Sequence, residues 1–548
     1  MNERARVGLL LALAILVYAN TLLNDFAYDD ELYILHNPIV TSPSIQGFFH
    51  PARANAFRPV TFAALALNWA AGGHNPLAYH LFNILLHAAV TLLLYFLLRA
   101  LLESVPHAPT IAFAAALLFA VHPIHTEAVA SAIGCSELLA AGFVLAAWLL
   151  HLRDRPVSVL FCLLLAVMAK ESAVVFLGLV LVGDVARGKL KPLLRYASIL
   201  GVTALYLAVF WTLKGGHFSD LPVAFYNNPL SQLPNHLRIL NALRVAWKYV
   251  GLQLYPVSLS YDYSYNGILL YSNWKHTAPA AFATIFVLVA WAWALWTRRT
   301  TWALAGGIYL GAFAVTANVF TVTGTIMGER LAYLPSAGFC LAIALLWIHF
   351  ENRNAPLAWV VLAIVATGLG LCTVLRNRDW RDNAHLFLSD LHSVPGSAKI
   401  HSNAGVVYMT HGQFEAARAE FLVALRIYPD DPTTLEAYGF TEALMGNDEE
   451  GCRLLRKALS LTGKGELNYD FRAVNLAAQF MKLGKDEEAL QLLNTEIQEF
   501  RADTRAWSNR GIIRQRRGEL ALARADAQTA VRLDPANVQA QNLLKSLP

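Results

Sequence analysis

The chain has 548 residues, of which 15% are charged and 56% hydrophobic, and its mean hydropathy is +0.43. An ordinary soluble chain carries roughly 25% charged residues, so a wholly soluble globular protein is excluded. The net charge of +5 is too small and too dispersed for a nucleic-acid partner. Five cysteines, with Cys162, Cys340 and Cys372 inside apolar runs, form neither a disulfide framework nor a metal-binding pattern.

These averages conceal two halves. Up to about Leu375 the chain consists of apolar runs with short polar breaks, and from Arg376 onward it is charged and Ala-rich. The expected domains are a membrane domain over 1–375, a linker over 376–397 and a repeat domain over 398–548. The expected fold class is all-α: a polytopic membrane bundle of about eleven spans, then an α-solenoid.

A spanning helix needs about 20 apolar residues. Spans are predicted near 7–24, 79–101, 109–122, 136–152, 157–170, 172–187, 196–213, 277–297, 301–320, 332–350 and 355–375. Several are short, which predicts bent or coupled segments. Arg4 and Arg6, Arg99, Arg153 and Arg155, the 187–195 cluster, Arg298 and Arg299, and Arg353 all fall on one side of this plan. The positive-inside rule makes that side cytoplasmic, with the C-terminal half outside. Arg376, Arg378 and Arg381 oppose this mildly. Residues 1–19 also permit a cleavable signal peptide, although the run reaches spanning length by Leu23.

Two outside loops are long. Residues 25–78 hold Asp29, Asp30 and Glu31, then Phe57-Arg58-Pro59 opening a helix to Ala71. Residues 214–276 hold an aromatic stretch, 249–265, expected as an interfacial element.

The C-terminal half reads as an array at the 34-residue tetratricopeptide period, in frames near 398, 432, 470 and 504. The first frame has Gly405, Tyr408, Ala417, Phe421 and Ala424, and the fourth has Trp507, Gly511, Ala523 and Ala530. A short capping helix is expected from Val538. One such repeat cannot bury its own apolar face, so the units stack and offer a concave surface to a peptide or protein.

The chemistry-bearing residues gather at predicted outer ends of spans. Asp29 and Asp30 are the candidate general bases, and either one could instead cap the following helix. Arg58, Lys170 and Arg330 are cations that can hold a lipid phosphate. His122, His125, Glu127, Glu137, Glu171 and Glu329 are candidate substrate-positioning residues. His122, His125 and Glu127 invite a metal reading, but no further ligand is evident at a recognisable spacing. Ionisable groups at membrane depth are costly and often functional.

The segments 26–30, 57–61, 79–87, 122–129, 169–171 and 328–336, followed by the repeats, resemble the TMTC family along essentially the whole chain. The resemblance implies a membrane glycosyltransferase of the GT-C fold, similar to protein O-mannosyltransferases, joined to tetratricopeptide repeats. It implies a polyprenyl-phosphate sugar donor, usually of mannose, and an outside or lumenal active site. The catalytic carboxylate would come from the acidic motif of the first outside loop, which here is Asp29-Asp30. One departure is Gly134-Cys135-Ser136-Glu137, where many relatives have Gly-Arg before an acid; it puts a phosphate role at that position in doubt. The modest length and few repeats look bacterial, implying undecaprenyl phosphate as carrier and a periplasmic site.

In the expected reaction a carboxylate takes the acceptor hydroxyl's proton and fixed cations stabilise the departing phosphate. No cofactor is required, and dependence on a divalent cation is left open. The acceptor would be a hydroxyl, Ser or Thr of a protein among the candidates. Two rival readings remain: a non-catalytic membrane-anchored scaffold for envelope or polysaccharide assembly, and a lipid-linked sugar transporter.

Overall fold

The computed structural model describes residues 1–49, 57–214, 225–463 and 468–547. Parts of both long loops expected outside, 50–56 and 215–224, therefore lie beyond the described residues. Among the described residues every regular element is helical. Contacts divide the chain into two units, Met1–Pro395 and Gly396–Pro548.

In the first unit each predicted span has a helix. Among the described residues six helices are long and apolar enough to cross a membrane: Glu3–Leu23, Leu77–Leu101, Ala132–Leu152, Leu193–Leu213, Trp274–Trp296 and Ala355–Asp379. A seventh arises if Ala108–Val121 and Pro123–Ala130, bent by 54°, form one span. The bend follows from Pro123, which cannot continue the hydrogen-bond ladder. Pro156–Ala169 and Ser336–Glu351 are shorter apolar helices. Phe176–Arg187 and Thr300–Phe313 are shorter than full spans as well. Leu77–Leu101, Ala108–Val121, Cys135–Leu152 and Ser336–Glu351 pack into one core, which buries Phe113, Phe119, Leu138 and Trp148.

The basic loops converge at one end of this unit. Arg187 and Lys189 both donate to Glu103, and Lys191 donates to Asp154 at 2.7 Å. Arg99 pairs with Glu3, and Arg6 donates to Thr110. The candidate site residues lie at the opposite helix ends.

Two segments differ from expectation. The stretch 376–397 contains the end of Ala355–Asp379 and a further helix, Asn383–Ser393, and the contact division falls after Pro395. Its charge does not make it a solvated tether, because Arg376 is buried on Asp390 and Asp379 at 2.9 Å each. In 249–265, a helix, Asn235–Leu254, runs up to Leu254, and Tyr249, Tyr261 and Tyr263 are buried. Those aromatics serve the interior; Tyr255 alone matches the exposed interfacial picture, at 72% exposure.

The second unit consists of helix pairs: Ala398–Thr410 with Phe414–Ile427, Pro432–Leu444 with Asp448–Ser460, Tyr469–Lys482 with Asp486–Glu499, and Thr504–Arg516 with Leu520–Leu533. Val538–Ser546 follows the fourth pair. Each pair turns at a glycine with positive φ, Gly412, Gly446, Gly484 and Gly518, a conformation costly for other residues. Their spacing is 34, 38 and 34 residues, so four extra residues separate the second and third pairs. Small residues sit where paired helices approach: a Cβ on Gly405 would lie 2.5 Å from the Phe421 ring. Ala417, Phe421, Ala489, Leu493 and Ala523 are fully buried, as the repeat register requires.

Candidate functional site

The first apolar segment ends in a short helical turn, Ala19–Leu23. Five residues on, Tyr28 adopts φ 56°, a left-handed conformation that costs a non-glycine residue about 1–3 kcal/mol. Past this turn the two adjacent aspartates separate. Asp30 is fully buried, whereas the Asp29 side chain is 30% exposed. A single π-turn, Glu31–Leu35, follows, a feature common near functional sites.

Asp30 is a structural clamp. Its Oδ2 accepts the N–H groups of Ala27 (3.3 Å) and Ala132 (3.1 Å). Its Oδ1 accepts from Ser131 Oγ (3.0 Å) and from the Ile133 N–H (2.8 Å). Burial raises its pKa to about 6, against the pull of these four donors. The clamp ties the first long loop to the tight bend before Cys135–Leu152. A Cβ on Gly134 in that bend would meet the Ala128 carbonyl at 2.2 Å, so only glycine fits. Asp29, by contrast, makes no hydrogen bond among the described residues; its partner is Arg330, with Nη2 at 3.8 Å.

The cations come from breaks between helices. Arg58 precedes Pro59–Gly72, whose Thr61 Oγ donates to the Ala169 carbonyl at 2.8 Å and so docks that helix beside the Lys170-Glu171 break. Arg58 binds Glu171 through two bonds, at 2.9 and 2.6 Å. Lys170 pairs with Glu137 in the first turn of Cys135–Leu152. Arg330 lies in the short turn Glu329–Ala332. Its backbone N–H donates to Glu127 Oε2 at 2.8 Å and its guanidinium pairs with Glu127 Oε1. The neighbouring Glu127 carboxylate raises the Arg330 pKa further, so the guanidinium is permanently charged.

The structure thus brings together Asp29, Arg58, Glu127, Glu137, Lys170, Glu171 and Arg330, each within electrostatic reach of others in the set. Exposure ranks the cations. The Arg330 side chain is 30% exposed, Arg58 19% and Lys170 6%. Arg330 is therefore the cation most open to an incoming anion, and Lys170 serves mainly an internal pair. Beside Glu137 lies a small crevice lined by Ser172, Thr316, Val144 and Leu334. Its lining is mixed, with Glu137, Ser172 and Thr316 among aliphatic side chains, and its volume of about 20 Å³ is water-sized.

Other candidates lie elsewhere. His122 and His125 are buried and turned inward: His122 Nδ1 accepts the Ile124 N–H, its Nε2 bonds the Gln253 carbonyl at 3.0 Å, and His125 Nε2 bonds Ser336 Oγ at 2.7 Å. With His87, Phe119 and Tyr333 they form a ring cluster that supports the bent span. Expected as substrate contacts, they face the interior instead: both ring nitrogens of His122 and Nε2 of His125 bond protein groups, and His125 Nδ1 is buried without a hydrogen-bond partner among the described residues. Glu329 is also buried, accepting from the Ser260 N–H at 2.5 Å and the Tyr263 hydroxyl at 2.6 Å. Burial raises its pKa to about 8; Arg376 nearby counteracts this and Glu127 adds to it. Cys135, at the departure from the family pattern, is buried among Phe26, Phe62 and Tyr79. Among the described residues no group of three or more His, Cys, Asp or Glu is arranged to hold a metal ion.

Sequence reasoning overlooks Tyr33 and Asn383. Tyr33 is half-buried, and its hydroxyl pKa is raised by burial and by Asp29, with Arg58 and Arg330 opposing. Its position four residues after Asp29, one helical turn on, is the signal that identifies it. Asn383 lies in the stretch expected as a linker, and no sequence pattern marks it.

A tetratricopeptide-repeat family model matches residues 372–432. The protein O-mannosyl-transferase F38B6.6 of Caenorhabditis elegans is 30% identical over 443 residues, 77% of this chain and 62% of that one. Human TMTC3 is 28% identical over 480 residues, 78% of this chain and 52% of that one. Human TMTC2 is 27% identical over 518 residues, 76% and 61% respectively. The chain thus spans about half to just under two thirds of the length of these relatives. Its curated homologues are the TMTC protein O-mannosyl-transferases, and its C-terminal half carries tetratricopeptide repeats.

Proposed function

We propose that this chain is a membrane glycosyltransferase of the GT-C type. It transfers a hexose, mannose in the first instance, from a polyprenyl-phosphate donor to an acceptor hydroxyl on the outer face of the membrane. The observation that carries this reading is the pairing of a half-exposed carboxylate, Asp29, free of hydrogen bonds among the described residues, with the most exposed cation of the set, Arg330. The homologues' names support the reaction class.

In this reading the acceptor oxygen attacks the anomeric carbon as the bond from that carbon to the phosphate oxygen breaks. Asp29 takes the hydroxyl proton, and the polyprenyl phosphate leaves with the electron pair. Arg330 meets the phosphate and balances the charge that develops on it. Arg58 holds its charge beside it, and Lys170 adds a more distant positive field. The pairs Arg58–Glu171 and Lys170–Glu137 keep these cations in place before the donor arrives, so little reorganisation is needed at the reacting moment. A single displacement inverts the anomeric centre and needs no covalent intermediate. The repeats then supply a surface for a protein acceptor carrying the Ser or Thr hydroxyl. In a bacterial inner membrane the carrier would be undecaprenyl phosphate and the site would face the periplasm.

The test is sugar transfer by the purified full chain from undecaprenyl-phosphate mannose to Ser/Thr peptides. Mannosylated peptide with inverted configuration supports the reading. A verified donor and a broad acceptor panel giving no transfer favour the scaffold.

A further inference from the structure

The segment after the last long apolar helix wraps the catalytic loop. The Asp25 N–H donates to the Arg381 carbonyl at 2.7 Å, and Asn24 Nδ2 donates to the Asn377 carbonyl at 3.0 Å. The Tyr28 N–H donates to Asn383 Oδ1 at 2.6 Å, and Asn383 Nδ2 donates to Glu31 Oε1, also at 2.6 Å. The Tyr28 ring sits edge-on to Tyr261 and Phe387. Tyr261 in turn donates its N–H to Asp390 Oδ2 at 2.6 Å, and Asp390 is buried against Arg376.

Asn383 stands out among these contacts. Tyr28 holds a left-handed backbone that persists only where its surroundings over-determine it. The contact that fixes its N–H is the Asn383 side-chain oxygen. The orientation of that amide is itself determined, because a carboxylate can only accept: Nδ2 must face Glu31, so Oδ1 must face Tyr28. Asn383 is the first residue of a helix capped by Asp382, whose side chain accepts the His385 N–H at 2.9 Å. A fixed helix end thus holds the residue immediately before Asp29.

We propose that Asn383 is a positioning residue for the reaction: it holds Tyr28 in its left-handed turn and thereby sets the Asp29 carboxylate at the reacting atoms without touching substrate. The proposal rests on Asp29 being the base. Misplacement of a catalytic group by about 1 Å can cost about a hundredfold in rate, so loss of this bond acts on turnover more than on donor affinity.

The experiment measures kcat, donor KM and thermal stability of the full chain with undecaprenyl-phosphate mannose and a peptide acceptor. Asn383→Leu is expected to lower kcat about tenfold to a hundredfold and leave donor KM within about twofold. Glu31→Leu, at an exposed position, frees the amide and lowers kcat in the same direction by a smaller factor. The double variant N383D/E31Q keeps both bonds, with only the 383–31 bond reversed in polarity, since a carboxylate at position 383 accepts both from the Tyr28 N–H and from an amide at position 31; it is expected to recover most of the turnover. In an Asp29→Asn background, N383L adds no further loss. Unchanged kcat in both N383L and E31L, while D29N abolishes transfer, overturns the proposal and leaves the base intact. Unchanged turnover in D29N overturns the base and this inference together. Should N383L fail to fold, E31L and N383D/E31Q decide: a loss in the first and recovery in the second support the proposal, and equal kcat in both overturns it.

Discussion

Arg330 stands between two carboxylates: one amino group of its guanidinium lies 3.8 Å from Asp29, and the other pairs with buried Glu127. The Glu127 side fixes the guanidinium plane, and the Asp29 side opens outward. Arg330→Lys keeps the charge but loses the planar fork that can serve both partners. We expect donor affinity to fall about tenfold or more, because loss of one charge-assisted hydrogen bond costs about 1.5–3 kcal/mol. Donor binding to the purified chain checks this; unchanged affinity would remove Arg330 from the phosphate site.

The two aspartates should fail in different ways. Asp30→Asn places an amide N–H₂ against two of the four donors that Asp30 now accepts. A cost of about 1–3 kcal/mol per unsatisfied group predicts a lower melting temperature in detergent. Asp29→Asn, half-exposed and without hydrogen bonds to the described residues, should melt like the parent. Equal melting temperatures for the two variants would contradict the division of roles.

How much was legible in the sequence depends on the kind of signal. Apolar length and loop charge identify the helical spans, and Gly405, Ala417 and Phe421 identify the repeat register. Pairings are another matter. Lys170 meets Glu137 across 33 residues and Arg58 meets Glu171 across 113, and nothing local selects those partners over others. Asp29 and Asp30 are adjacent and chemically identical, so only the left-handed Tyr28 turn separates them. The 376–397 stretch has linker composition, but Arg376 finds Asp390 and becomes interior. Tyr261 and Tyr263 match membrane-interface chemistry, yet they are buried near Asp390 and Glu329.

Glu329 makes stability pH-dependent. Its folded pKa is raised from 4.5 to about 8, first by burial. The folded state therefore binds more protons than the unfolded state between these values, and stability falls as pH rises across that window. Above about pH 8 the penalty is complete. Glu329→Gln, which stays neutral, should melt progressively higher than the parent as pH goes from 5 to 9. Parallel melting curves across that range would contradict the buried, protonated carboxyl.

The repeat register has its own test. Gly405→Leu forces a side chain onto Phe421, which a single Cβ would already approach to 2.5 Å. Overpacking of this kind costs about 1–3 kcal/mol. Limited proteolysis should then cut faster within 396–548 while fragments of the first unit persist. An unchanged digestion pattern would contradict this packing.

The most direct measurement is single-turnover sugar transfer by Asp29→Asn, with donor binding measured in parallel. General-base catalysis contributes typically about 10²–10⁴-fold. Transfer should fall by at least about a hundredfold while donor affinity holds, and Asp30→Asn, scored per folded molecule, should retain more activity than Asp29→Asn. Near-parental transfer by Asp29→Asn, with a verified donor and acceptor, would contradict the assignment of Asp29 as the base.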